Sequence, residues 1–346
     1  VIRAGAALPT DEVVVQVTGD HPELARAELD AVLDVVGGTT AREWGALTYR
    51  CKVPRGGADE VARRGGLLRY VGLQLATARG ADALDTSALE VKGTYAVRAT
   101  AVGGATVDTM AVERAVGKRV RGGRVNLDRP AHVFRVFVGP DEAVLTHQRY
   151  DRIDDDIEDR QVRHRPFFKP VSLHPKFARV LVNLSRVHDG QELLDPFCGT
   201  GGILIEAGLV GARPIGIDAQ AEEVEGAARN LEHFGVLGAR ILHGRAKDAR
   251  ALVGHPVAAI ATDPPYGRSA TTLREGPVGA VAGSVQGLCD ALLPGGRLAI
   301  CMPEGDMGKL FEDVLDRELC IAQRVHGSLT RHYFVFRKQG GPARGG

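Results

Sequence analysis

Aromatic residues are scarce, only 5% of a 346-residue chain, with a single tryptophan, and cysteine is scarcer still at five. Cys51, Cys198, Cys289, Cys301 and Cys320 form no CxxC pair, and no His/Cys cluster has zinc-ligand spacing. Neither a disulfide framework nor a metal site is expected, and dispersed thiols suit a reducing compartment. No apolar run approaches the roughly 18–20 residues that span a bilayer. The opening VIRAGAALPTDEV also lacks the apolar stretch of a secretory signal. A cytoplasmic protein with no membrane partner is expected. Excess charge of either sign is missing as well: 44 Lys+Arg against 43 Asp+Glu leave +1, so bulk charge selects no partner.

What is present is ordinary globular material, 44% hydrophobic and 25% charged, with 44 glycines punctuating an aliphatic chain. At roughly 100–200 residues per domain, the length suggests two. The charge is unevenly placed. Between Ala111 and Phe137 lie Arg114, Lys118, Arg119, Arg121, Arg124, Arg129 and Arg135, opposed only by Glu113 and Asp128. A second basic stretch holds Arg160, Arg163, Arg165, Lys169, Lys176 and Arg179 without a carboxylate, and an acidic run from Asp151 to Asp159 separates the two. Such runs are either solvated faces or phosphate-contacting patches flanking a polar linker.

Residues 1–150 read as α+β. A strand is expected at Glu12–Val17 and a helix at Pro22–Val36, with strands at Thr94–Ala101 and Val133–Val138 around a helix at about Thr109–Val120. Residues 151–170 read as a linker, and 171–346 as a second domain with a different rhythm. There, strands at Glu192–Leu194, Pro214–Ile217, Arg240–His243, Val257–Thr262 and Arg297–Met302 alternate with helices. The helices are expected at Pro175–Val187, Ile203–Val210, Ala221–Phe234, Val281–Leu293 and Asp306–Leu315. A closing strand pair is expected at Cys320–Val325 and His332–Arg337. That alternation predicts an α/β, doubly wound, Rossmann-like parallel sheet, with the closing pair adding an antiparallel strand near one edge.

Two segments carry chemistry. Asp195-Pro196-Phe197-Cys198-Gly199-Thr200-Gly201-Gly202 joins the first strand of the second domain to a helix, where open α/β sheets bind ligands. The pattern is GxGG, not the GxGxxG of dinucleotide sites, and Asp195 before the turn would repel a pyrophosphate while suiting a cationic amino acid moiety. That favours S-adenosyl-L-methionine over NAD. Asp218, about 20 residues on and followed by Ala219, suits the ribose hydroxyls, and Asp248 is a candidate acceptor for the adenine amino group. The second segment, Thr262-Asp263-Pro264-Pro265-Tyr266-Gly267, follows the apolar run Val257–Ala261. Two prolines stiffen the loop and remove two donors. Asp263 and the Pro264 carbonyl can accept from an exocyclic amino group, and Tyr266 offers a stacking face. These parts suit methylation of an amino group on a purine or cytosine, an in-line displacement driven mainly by positioning.

DPFCGTGGILIEA (Asp195–Ala207) and TDPPYGRS (Thr262–Ser269) resemble the THUMP-carrying tRNA guanine-N2 methyltransferases, in particular the archaeal type acting on guanosine 10. TYAVRA, VERAVGKRV and VNLDRPAHVFRVFV are similar to a THUMP domain, and RPFFKPVSLHPKFARVLVNLS and HGSLTRHYFVFRK also resemble this family. The resemblance covers nearly the whole chain. It implies S-adenosyl-L-methionine as methyl donor and tRNA as partner, with a ferredoxin-like segment plus THUMP domain in 1–150 holding the RNA. It implies that Asp195 to Gly202, Asp218, Ala219 and Asp248 line the cofactor and that Asp263 to Tyr266 hold the guanine amino group. Arg114, Lys118, Arg119, Arg121, Arg124, Arg163, Arg165 and Lys169 become candidate RNA contacts. An activating protein partner is compatible with the resemblance but leaves no signature in the sequence. Alternatives are an amino-methyltransferase acting on guanosine 6 of tRNA, on rRNA or on DNA, and a tRNA-binding module without activity. A thiouridine synthase would need an SGGxDS-type loop, and none is present.

Overall fold

The computed structural model describes residues 10–87, 89–151, 157–169, 172–265, 276–326 and 329–340. It divides into two compact units, Val1–Asp155 and Asp156–Gly346. In the first unit, eight strands form one mixed sheet in the order β2-β3-β1-β4-β8-β7-β5-β6. They are β1 (Thr10–Val17), β2 (Thr39–Glu43), β3 (Thr48–Pro54), β4 (Leu68–Ala78), β5 (Glu90–Ala101), β6 (Arg121–Val125), β7 (His132–Val138) and β8 (Ala143–Asp151). Helices α1 (Pro22–Val36), α2 (Gly57–Arg64) and α3 (Thr109–Gly117) complete it. Pro22 starts α1 and Gly37, at φ +72°, ends it. Asp108 caps α3 by accepting from the Ala111 amide at 3.0 Å. The α3 crossover makes β5 and β6 parallel, and β5 is also parallel to β7. Val13, Val14 and Val15 are all buried, so β1 is covered on both faces and shows no polar alternation.

The second unit is a seven-stranded sheet in the order β11-β10-β9-β12-β13-β15-β14. Its strands are β9 (Glu192–Asp195), β10 (Arg213–Asp218), β11 (Arg240–His243), β12 (Val257–Thr262), β13 (Leu292–Met302), β14 (Asp316–His326) and β15 (Leu329–Arg337). Strands β9 to β13 pair in parallel, while β15 runs antiparallel between β13 and β14. The helices are α4 (Pro175–Leu184), α5 (Gly202–Leu209), α6 (Ala221–His233), α7 (Ala249–Val253), α8 (Gly276–Ala282), α9 (Val285–Ala291) and α10 (Lys309–Glu312). Leu194, Ile215, Ile217, Ile260, Ile300 and Phe334 line the sheet side of one core, closed by Leu288, Phe311 and their neighbours. The chain turns one way from β9 to β10 and the other way to β12. The crevice at the carboxyl ends of β9 and β12 is therefore the topological switch point where such sheets bind ligands.

Three expectations need correction. The helix read at Val281–Leu293 is two helices, α8 and α9, interrupted at Gly283-Ser284, and Leu292 and Leu293 already belong to β13. The helix read at Asp306–Leu315 is only a 3-10 turn, Gly305–Gly308, and the four-residue α10. A side chain at Gly308 would run into the Phe334 ring, so this segment is shaped by packing on β15 and not by helical periodicity. The linker read at 151–170 is no free linker. Asp151 ends β8 and pairs with Arg135 at 2.9 Å, while residues 157–169 belong to the second unit and bury Ile157, Arg160 and Arg165.

What fastens this arm is a buried ion cluster. Glu206 of α5, 1% exposed, accepts from Arg160 Nε at 2.8 Å and from Arg179 of α4 at 2.7 Å. Removing the carboxylate would leave two guanidinium groups buried without their shared anion, which costs about 3–5 kcal/mol in comparable buried pairs. Glu206→Ala should therefore lower the urea midpoint of the second unit by that equivalent at unchanged m-value, measured by denaturant titration. A loss under 1 kcal/mol would show that water reaches the cluster.

Candidate active site

Strand β9 delivers Asp195 to the switch point fully buried. Its Oδ1 accepts from Thr262 Oγ1 of β12 at 2.7 Å and from the Phe197 amide at 3.2 Å. The chain then turns through Gly199 and Gly201, at φ +47° and +81°, conformations that disfavour any side chain. The Gly199 amide donates to Asp218 Oδ2 at 3.0 Å, and the Gln220 amide to Oδ1 at 2.9 Å. Asp218 at the tip of β10 is thus held by two backbone donors. Ala219 is exposed beside it, its carbonyl meeting His243 Nε2 at 3.0 Å. Asp248 lies exposed in the turn after β11. Cys198 packs against Gly216 of β10, and burial, reinforced by the carboxylates nearby, pushes its thiol well above the usual range. It is an inert packing group.

The electrostatics favour a cation. Burial, and secondarily the charges of Asp263 and Asp218, push the Asp195 carboxyl up to about 7 despite its two donors. Three carboxylates converging at the ends of β9, β10 and β12 fit a ligand carrying an ammonium or sulfonium charge, as S-adenosylmethionine does. The Asp263 side chain is half-buried at the end of β12, Pro264 is buried and Pro265 exposed. Tyr266 lies outside the described residues. Among the described residues no group of three or more His, Cys, Asp or Glu side chains is arranged to hold a metal ion.

The basic candidates divide. In the first unit Arg114, Lys118 and Arg124 are exposed, on α3, just after it and on β6. Arg119 instead donates to the carbonyls of Ala81, Asp82 and Leu84 at 3.1–3.2 Å, bracing a turn. Arg121, though exposed, donates to the Ser87 carbonyl at 2.6 Å. In the second unit Arg163 is exposed, but Arg165 is 4% exposed and donates to the Arg160 carbonyl at 3.1 Å and to Thr200 Oγ1 at 3.2 Å. Arg165 is therefore a buried structural support of the Gly-rich loop. Lys169 pairs with Glu223 at 2.5 Å and Glu222 at 3.4 Å, which ties its charge to α6. Sequence reading passed over Thr262, whose hydroxyl links the two loops, and Asn230, buried in α6. The amide of Asn230 donates to the Phe167 carbonyl at 2.7 Å and the Thr200 carbonyl at 2.9 Å, and its oxygen accepts from the Phe167 amide at 2.9 Å. A polar Asn on the buried face of α6, between Ala227 and Leu231, was the available signal.

Strand order, Gly-rich loop and Asp-Pro-Pro loop define a Rossmann-like methyltransferase fold beside a separate α+β unit. Residues 162–331 match the family described as RMKL-like, methyltransferase domain, and residues 78–148 match the THUMP domain. The crystal structure of TrmN from Thermus thermophilus is similar in fold, with a TM-score of 0.54 at 24% identity, covering 94% of this chain and 99% of that one. The tRNA (guanine(10)-N2)-dimethyltransferase of Methanothermobacter thermautotrophicus is 34% identical over 92% of this chain and 97% of its own length. That of Pyrococcus abyssi is 35% identical over 93% and 98%. The chain belongs to the tRNA (guanine(10)-N2)-dimethyltransferase family.

The position of Asp195 sets a pH dependence. Its raised pKa means that the carboxyl is largely protonated below pH 7, and a bound cation favours the ionised form. Affinity for S-adenosylmethionine should rise from pH 6 to pH 8, by about tenfold, then level off. Calorimetry at pH 6 in two buffers of different ionisation enthalpy should show proton release that disappears at pH 8. A flat affinity with no proton release would remove Asp195 from the cation site.

Proposed function

We propose that this protein transfers methyl groups from S-adenosylmethionine to the exocyclic N2 of guanosine 10 in tRNA, giving N2-methylguanosine and then N2,N2-dimethylguanosine, in the cytoplasm. The observation that carries this is the 2.7 Å hydrogen bond from Thr262 to Asp195. It fastens the acceptor-side loop, Asp263-Pro264-Pro265, to the cofactor-side loop at the switch point of one sheet. When bound, S-adenosylmethionine supplies an electrophilic methyl group on a sulfonium sulfur. Asp195 and Asp218 hold the amino acid and ribose ends of that ligand, Asp195 as carboxylate. Asp263 and the Pro264 carbonyl accept hydrogen bonds from the guanine amino group and aim its lone pair along the line of displacement. The nitrogen turns acidic as its new bond forms, and its proton passes along the hydrogen bond to Asp263. A base in a stacked helix cannot reach such a loop, so guanosine 10 leaves its stack. The exposed Arg114, Lys118, Arg124 and Arg163 supply phosphate contacts.

The test is incubation of the protein with unmodified tRNA transcript and methyl-labelled S-adenosylmethionine, followed by mass spectrometry of the digested RNA. N2-methyl- and N2,N2-dimethylguanosine at position 10 are expected. Methylguanosine at another position would overturn the site assignment, and methyladenine or methylcytosine the chemistry. Activity that appears only on adding cell extract would identify an activating partner. Asp263→Ala should lower turnover about 100-fold or more while tRNA and cofactor still bind. Undiminished turnover would remove Asp263 from the reaction. Replacing Arg114 and Arg124 together by Glu should weaken tRNA binding and reduce the slope of log K against log salt by about 2. An unchanged slope would return these residues to the solvated surface.

A further inference from the structure

The segment from Arg165 to Lys169 lies outside the Gly-rich and Asp-Pro-Pro loops, yet it is anchored to the first of them more firmly than a surface turn requires. Arg165 meets Thr200 Oγ1 at 3.2 Å, and Ser172 Oγ meets the same oxygen at 3.4 Å. The chain thus leaves Thr200 at Arg165 and returns to it seven residues later. Asn230, fully buried, bonds both the amide and the carbonyl of Phe167, as a neighbouring strand would, and also holds the Thr200 carbonyl. The Phe167 ring fills the space that a side chain at Gly226 would need, and the Arg229 guanidinium lies over it at 5.5 Å. Lys169, two residues on, faces the same helix through Glu222 and Glu223.

The residues on either side are therefore held against α6, and Phe168 lies between them. Phe168 is 59% exposed. Among the described residues it is the one aromatic among the large apolar side chains left in water. Exposure alone would mean little, since single apolar side chains are common on surfaces. Here both neighbours are pinned, Phe167 through its amide and carbonyl and Lys169 through its ammonium, and the segment is tied to the Gly-rich loop where Arg165 meets Thr200. A flipped-out or splayed RNA base needs an aromatic face, because stacking replaces what it loses on leaving its helix.

We propose that Phe168 is a stacking face for a base of the tRNA, presented at the methyl-transfer site by the Asn230 and Arg165 anchors. This rests on the tRNA-methylating function proposed above. Loss of one base–aromatic stack predicts a fall of roughly 5- to 100-fold in kcat/KM for tRNA. Phe168→Ala should show that fall with S-adenosylmethionine affinity and melting temperature unchanged, because most of the ring is exposed. Phe168→Trp and Phe168→Tyr should keep kcat/KM within about threefold of the parent, whereas Phe168→Leu should behave as alanine does. Undiminished kcat/KM in Phe168→Ala would overturn the proposal, as would rescue by leucine. A loss of cofactor affinity equal to the loss in kcat/KM would also overturn it, by placing the ring against the cofactor. If the parent protein methylates no tRNA, the functional reading has failed. The stacking proposal is then tested by whether Phe168→Ala lowers affinity for tRNA in direct binding.

Discussion

A carboxyl group withdrawn from water at the fork of the sheet's parallel strands is the constraint on which the candidate site rests. Asp195 ends β9, the strand on whose two sides the chain order diverges, and it is covered completely. Such a group is ionised at little cost only when a cation is beside it. Its present partners, the Thr262 hydroxyl and the Phe197 amide, are neutral, and its charged neighbours are other carboxylates. The site is thus preorganised for a positive ligand. Because Thr262 belongs to the adjacent strand β12, the same hydrogen bond sets the distance between the cofactor loop and Asp263. Adjacent strands lie about 4.8 Å apart, so the two loops leave the sheet side by side.

A second electrostatic device fixes what surrounds the cofactor loop. Arg160 and Arg179 share Glu206, and burial lowers the pKa of nearby Arg165, an effect that Glu206 offsets in part and Arg160 reinforces. Two cations around one anion, with a third beside them, are a costly use of the interior, and apolar side chains of similar volume would pack there at least as well. What the cluster adds is direction. Aliphatic contacts between α4, α5 and the 157–169 arm tolerate sliding, whereas guanidinium–carboxylate forks accept one alignment. That alignment carries Arg165 to Thr200, so the shape of the Gly-rich loop depends on charges that lie outside it.

Much of the second unit was legible because its signals are local. Strands β11 and β12 match their expected bounds, since β-branched and aliphatic runs there end at clear turn residues. The antiparallel closing pair was legible from two such runs at the end of the chain. The interruption between α8 and α9 was not, because apolar spacing continues across Gly283-Ser284. The basic stretch 160–179 divides for a different reason. Arg163 and Arg165 are two residues apart and identical in type, yet one is exposed and the other buried. The burial of this arm depends on an anion in α5, 46 residues from Arg160, and a count of local charge does not register such a partner. Likewise Arg119 differs from Arg114 only in having three carbonyls of a distant turn within reach.

Asn230 shows that one long-range relation did leave a local trace. Asparagine is a poor helix former, and burying its amide without partners would cost on the order of a few kcal/mol. Its place on the buried face of α6, after Ala227 and before Leu231, conflicts with helical patterning. Conflicts of that kind persist where the polar group is fully used. Here both amide hydrogens and the carbonyl oxygen are engaged, by the Phe167 carbonyl, the Thr200 carbonyl and the Phe167 amide. The irregular segment at Phe167 gains from one side chain the two bonds that a strand would take from its neighbour. The cofactor loop gains a fixed carbonyl from the same group. The interior asparagine of α6 thus marks where an irregular segment without a sheet partner is held, and in this unit that segment is tied to the Gly-rich loop.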